Sequence, residues 1–278
     1  MAGYIAPMRS NQPHRGDRCD AMILAAGRGE RMRPLTDDCP KPLLAVRGKP
    51  LMQWPIEALA RAGVRDILVN TDWLGMQIER HFCDPSVRRA IDAQARLAGA
   101  STTTPVQLRF SHEGRDFGAA LETAGGIARA LPQLADPFWL VAGDVFMPTF
   151  TFSNRERTAL LADDMLAMIW LVPNPPHHPQ GDFAVSAQGR ARNDGPLCHT
   201  YSGIGLLRHA LFAPPYCAIA HGNPQGVRAK LAPLLRLAAQ QDRLGAALYT
   251  GPWTDVGTPA RLAALQTTGN PSTHLHSP

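Results

Sequence analysis

The chain has 278 residues, 45% of them hydrophobic and 18% charged, which are ordinary values for one large globular domain with at most a small appendage. No apolar run reaches the length of a membrane span, and residues 1–19 are polar, without the apolar stretch of a signal peptide, which points to a cytoplasmic protein with a disordered leader. The net charge of +5 is spread along the chain without a basic run, which disfavours nucleic acid as a partner, and five scattered cysteines form no C-x-x-C pair, which disfavours a disulfide framework or structural zinc.

Ala21 to Ala26 is a short buried strand that runs straight into a glycine loop. Leu51, Ile56, Leu59 and Ala60 repeat at helical spacing between Pro50 and Gly63. A strand over Asp66 to Thr71 and a helix over Trp73 to Phe82 follow, and residues 83–104 read as an insertion with a basic, alanine-rich helical piece. Val106 to Glu113 alternates as a strand, Leu121 to Leu131 is helical, and Phe138 to Phe146 is a strong buried strand. This rhythm predicts an α/β fold with a mixed, mostly parallel sheet flanked by helices. After Met147 it changes: strands are expected at 165–172, 182–187 and 200–207, helices at 228–240 and 258–266, and a disordered tail over 267–278. One domain over 20–266 is expected, with a first half at about 20–147 and a second at about 148–266.

The most informative stretch is Leu24-Ala25-Ala26-Gly27-Arg28-Gly29-Glu30-Arg31, continuing to Pro34-Leu35-Thr36 and then Pro40-Lys41-Pro42. Small residues after a buried strand let backbone N–H groups cradle a phosphate chain. Arg31 can fork onto terminal phosphate oxygens, and Lys41 offers a point charge between two prolines. Only three of the 28 basic residues are lysine, so Lys41 stands out against an arginine background. The spacing is neither a Walker A loop nor a Rossmann G-x-G-x-x-G. L-x-A-G-x-G-x-R-x-x-P-L-T followed by P-K-P instead resembles the signature of sugar-phosphate nucleotidylyltransferases, and the resemblance runs from about Ala21 to Gln266. It implies the Rossmann-like nucleotide-diphospho-sugar transferase fold. It also implies joining of a nucleoside triphosphate to a sugar 1-phosphate with release of pyrophosphate.

Carried onto this chain, the resemblance gives the nucleotide to Ala25, Ala26, Gly27, Arg28, Gly29 and Lys41, with Arg31 on the β and γ phosphates. Asp144, at a strand's carboxyl end, and Asp255, in W-T-D-V-G-T, match the family's two carboxylates that share one Mg2+. As isolated residues, each could equally be a cap or turn carboxylate. Glu113 with Glu122-Thr123 resembles the element that grips a pyrimidine; a carboxylate accepts the N3–H of uracil and has no proton for the bare N3 of cytosine. Asn174-Pro175-Pro176-His177-His178 with Gly181-Asp182-Phe183 resembles one subgroup, the N-acetylmuramate α-1-phosphate uridylyltransferases, and implies Gly181 and Asp182 at the sugar. The adjacent histidines are read as loop residues pointing apart, not as a metal pair. Ala142 stands where that subgroup often places a substrate-contacting Asn. UTP and a sugar 1-phosphate are the implied partners, and the chain is expected to work as a monomer or small homo-oligomer. Guanylyl or thymidylyl transfer to another sugar, or an inert sensor on the same fold, are the alternatives.

Overall fold

The computed structural model describes residues 18–97 and 104–267. The leader up to residue 17, residues 98–103 of the insertion and the tail from 268 lie outside the described residues. The first part contains β1 (Cys19–Ala25), a small hairpin of β2 (Ala45–Val46) and β3 (Lys49–Pro50), α1 (Gln53–Arg61), β4 (Asp66–Thr71), α2 (Gly75–Cys83) and α3 (Pro85–Leu97). Then come β5 (Gln107–His112), α4 (Glu113–Phe117), α5 (Glu122–Ala130), β6 (Leu134–Ala142) and β7 (Val145–Phe146). The second part has α6 (Asn154–Ala162), β8 (Ala167–Val172), β9 (Phe183–Val185), β10 (Ala191–Arg192), β11 (Cys198–Leu207), α7 (Ala232–Gln240), β12 (Leu244–Leu248), β13 (Thr254–Asp255) and α8 (Pro259–Thr267).

Strands β5, β4, β1 and β6 lie side by side and parallel. Beyond β6 the long β11 runs antiparallel, and it also pairs with β8 and β9, so the mixed sheet of nine strands passes through both expected halves. The expected α/β architecture is therefore present. Successive strand residues face opposite sides of a sheet, and helices cover both sides here, which is why the strands read as unbroken apolar runs. Met22, Leu68 and Leu140 pack with Ile127 of α5 and Leu235 of α7 on one face. Ile23, Val69 and Val141 pack with Ile56 and Leu59 of α1 and Phe82 of α2 on the other.

Three boundaries depart from expectation. The strand expected over Phe138 to Phe146 breaks at Gly143 and Asp144: the Gly143 N–H makes the last bond of the β1–β6 ladder, to the Leu24 carbonyl at 2.8 Å, and β7 then pairs with β13 instead. Glu113, expected to end a strand, opens α4 and is 1% exposed. The helix expected from 228 begins at Ala232, because the backbone at Ala229 is committed to α5: its carbonyl accepts from the Ala124 and Gly125 N–H groups at 2.8 and 3.1 Å. The Ala124 N–H is a first-turn donor with no partner inside α5.

Trp139 sits at the centre of the second core, edge-on to Phe152 at 5.0 Å and tilted against Trp170 at 5.2 Å. Trp139→Ala should lower unfolding stability by about 3–5 kcal/mol, the usual cost of deleting a buried large aromatic, read as the shift in a urea transition.

Candidate active site

Parallel register brings Leu24, Asn70, Ser111 and Ala142 level with one another near the carboxyl ends of β1, β4, β5 and β6. Ligands of open α/β sheets bind at this edge. Here it opens into a cavity of about 440 Å³ whose wall includes Ala25, Ala26, Gly27, Arg28, Gly29, Lys41, Glu113, Glu122, Thr123, Ala142 and Asp144. Eleven residues expected at the nucleotide, the metal or the sugar are thus brought together. Arg31, Asp255, Asp182 and Gly181 lie outside this wall.

Asn70 fastens the loop. Its Oδ1 accepts from the Ala25 N–H at 2.9 Å, and its Nδ2 donates to Glu113 Oε1 at 2.6 Å. The Ala25 amide is thereby used inside the protein and is not offered to a phosphate, while the residue itself still lines the cavity. The next four amides, Ala26 to Gly29, have no acceptor among the described residues, and such a run of N–H groups suits an anion. Gly29 has φ of +70°, and a Cβ there would stand 3.1 Å from Thr36 Cγ2, so the turn requires glycine. Arg28 donates to the Thr36 carbonyl at 2.8 Å and stacks on Trp73 at 3.6 Å, which stiffens the loop from outside.

Lys41 opens a single 3₁₀ turn after Pro40, is 9% exposed, and reaches Asp144 Oδ2 at 2.5 Å. Asp255 arrives from the other end of the chain: β13 pairs with β7, Asp255 faces Val145, and the Val256 N–H donates to the Asp144 carbonyl at 2.8 Å. The two aspartates therefore stand on adjoining backbone. Arg261 donates to Asp255 Oδ1, which also lies 3.2 Å from His177 Nε2. Arg31 lines a smaller recess with Gly29, Lys41 and Gly257, next to the main cavity.

Glu113 accepts from the Leu121 N–H at 2.7 Å in addition to Asn70. Burial pushes its carboxyl above the ordinary value, while the Leu121 amide, Asn70 and Arg129 draw it back. Glu122 has φ of +61°, a left-handed backbone at the lip of the cavity.

A second cavity, about 360 Å³, shares Leu24, Glu122, Thr123 and Ala142 with the first. Asp182 reaches it, held by the Tyr201 N–H at 2.8 Å and by His178 at 3.2 Å. The adjacent histidines thus serve different carboxylates, as their expected divergence requires. Gly181 lines neither cavity; with φ of +69° it turns the chain against Cys198, so its part in the site is to place Asp182.

Residues 20–187 match the family described as nucleotidyl transferase. The chain belongs to that family. Two curated relatives extend the match: N-acetylmuramate α-1-phosphate uridylyltransferase of Neisseria meningitidis serogroup B is 42% identical over 249 residues, covering 88% of this chain and 96% of the relative. The protein of the same name in Caulobacter vibrioides is 30% identical over 261 residues, covering 88% and 94%. Together they make this nucleotidyl transferase a sugar-phosphate nucleotidyltransferase. A solved putative glucose-1-phosphate thymidylyltransferase from Bacillus anthracis, in complex with a sucrose, shares the fold with a TM-score of 0.67 at 16% identity, covering 92% of this chain and 97% of that one.

Three positions that line the cavities of this transferase carry no local signal. Asn70 reads as an ordinary strand residue until β4 is set beside β1. Arg228 and Lys230 reach the first and second cavities because the backbone between them is bonded to α5. Asn70, 3% exposed, gives a direct check: Asn70→Ala leaves the Ala25 donor and the Glu113 carboxylate short of a partner. It should cost about 2 kcal/mol in chemical denaturation, the scale of an unsatisfied buried polar group.

Proposed function

We propose that the enzyme transfers the uridylyl group of UTP to N-acetylmuramic acid α-1-phosphate, giving the UDP-sugar and pyrophosphate. The observation that carries this reading is the common wall of the two cavities: Leu24, Glu122, Thr123 and Ala142 border both, so a nucleotide in one and a sugar in the other meet at Ala142 beside Asp144. A phosphate oxygen of the sugar then attacks the α-phosphorus in line with departing pyrophosphate. Positioning and charge neutralisation supply the rate, and no protein nucleophile is needed.

Lys41 is assigned to the α-phosphate, the amides of Ala26 to Gly29 to the phosphate chain, and Arg31 to the β and γ phosphates. Glu113 keeps a second lone pair on each oxygen, enough to accept N3–H of uracil. Asp144 and Asp255 offer hard oxygens from adjoining backbone, and among the described residues no group of three or more His, Cys, Asp or Glu gathers to hold a metal. Few protein carboxylates completed by phosphate and water is the donor set Mg2+ takes, so these two residues fit it. When bound, Mg2+ neutralises charge at the phosphate under attack.

For the sugar, Lys230 lines the second cavity without an ion-pair partner among the described residues, together with Arg236. A lactyl carboxylate supplies the missing negative charge, which glucose and glucosamine derivatives lack. The reading includes a cytoplasmic enzyme acting as a monomer or small homo-oligomer on small molecules, without nucleic acid or membrane. Its five free cysteines suit a reducing compartment, and no described helix is long and apolar enough to cross a membrane.

Asp144→Asn and Asp255→Asn should each retain a cooperative thermal transition and lose at least about a hundredfold in pyrophosphate release, the scale of lost charge stabilisation at the transition state. Full activity in both variants removes the metal assignment. With four nucleoside triphosphates set against a panel of sugar 1-phosphates, UTP with N-acetylmuramic acid 1-phosphate should be preferred. Lys230→Ala should shrink that preference, as should added salt. Preference for a glucose or glucosamine phosphate would overturn the sugar assignment.

A further inference from the structure

Asp255 is never presented as a bare carboxylate. Arg261, in the first turn of α8, donates through Nη1 to Asp255 Oδ1, and the same nitrogen is 2.8 Å from His177 Nε2. The Arg261 N–H and Nε also approach Thr258 Oγ1 at 3.3 and 3.4 Å. Among the described residues, the side-chain contacts of Asp255 all fall on Oδ1. The guanidinium lies across Gly257: a Cβ there would stand 2.6 Å from Arg261 Nη2 and 3.3 Å from Arg31 Nη2. Two guanidinium groups thus converge at the rim of the recess that also reaches Lys41. Arg31 has no ion pair among the described residues, whereas Arg261 is neutralised by Asp255, as Lys41 is by Asp144.

We propose that Arg261 is an exchangeable counter-ion: it neutralises Asp255 until a divalent cation takes that carboxylate, and then turns to the pyrophosphate end of the nucleotide beside Arg31. The inference rests on the assignment of Asp255 to the cation and of the glycine loop to the phosphates. The exchange balances in charge, with no covalent step. The Asp255–Arg261 pair is replaced by an Asp255–cation contact and an Arg261–phosphate contact. Lys41 makes the parallel exchange at Asp144, so both carboxylates begin paired with cations that are themselves phosphate binders. A residue that merely oriented Asp255 would behave oppositely, because removing an orienting partner weakens metal binding. Arg261 competes for the carboxylate, so its removal strengthens it.

The test measures Mn2+ alone by electron paramagnetic resonance, and inorganic pyrophosphate at saturating Mn2+ by calorimetry, on the full chain. Arg261→Gln and Arg261→Ala should bind Mn2+ several-fold more tightly than wild type. They should bind pyrophosphate about tenfold more weakly, the scale of one lost charge-assisted hydrogen bond. Arg261→Lys should fall between them and wild type on both measurements. Looser Mn2+ binding in the Gln variant, or unchanged pyrophosphate binding, overturns the exchange and leaves Arg261 as a support for Asp255. If wild type binds neither probe, the assignment of the site itself falls, and this inference with it. If wild type binds both and the Arg261 variants change neither, the exchange alone falls.

Discussion

Parallel hydrogen bonding of β5, β4, β1 and β6 is the constraint on which everything else depends. Parallel strands end at the same edge, and their register sets Leu24, Asn70, Ser111 and Ala142 abreast. The strands themselves are apolar and buried, so the first residues free to bear chemistry are those just beyond that line. That is where the glycine loop leaves β1, where Glu113 follows β5, and where Asp144 follows β6. A single carboxamide, Asn70, then ties two of these exits together from an almost fully buried position. Its value lies in direction: it holds the backbone after β1 at a fixed distance from the carboxylate assigned to the base.

Charge at the site follows a consistent pattern. Carboxylates that would repel one another on adjoining strands are each paired with a cation, Asp144 with Lys41 and Asp255 with Arg261. At partly exposed positions such pairs add little to stability, so their arrangement is better explained by ligand chemistry than by folding. The amides of the glycine loop and Arg31 supply uncompensated positive character beside them. A polyanion entering this edge meets a field already built by the loop, and only the paired cations have to turn toward it.

Much of this was legible in the residues. Unbroken apolar runs separated by helical spacing predict a parallel sheet, and P-K-P after the glycine loop singles out Lys41. Asp144 at the end of a buried run is placed by strand logic alone. What could not be read depends on neighbours distant in the chain. Asn70 looks like any polar strand residue, and the burial of Glu113 follows from α4 and α5 folding over it. Arg261 looks like an exposed helix residue until β13 sets Asp255 in front of it. The amide of Ala25 illustrates the same limit: its sequence context suits phosphate binding, and a side chain 45 positions away has already taken it.

The path of β11 has a consequence for how such a protein can be inherited. Its residues Ile204 to Leu207 complete β6 on one side, and Cys198 to His199 continue into β9. A strand encoded late in the chain is therefore structural filling for a sheet begun at residue 19. Cutting the coding sequence near Met147 would expose the facing ladder edges of β6 and β11 and part β7 from β13. The portions before and after Met147 cannot be exchanged between genes as cassettes in the way that linked domains can. On the proposed reading of the second cavity, new sugar preferences arise by substitution within it, on a frame that is passed on whole.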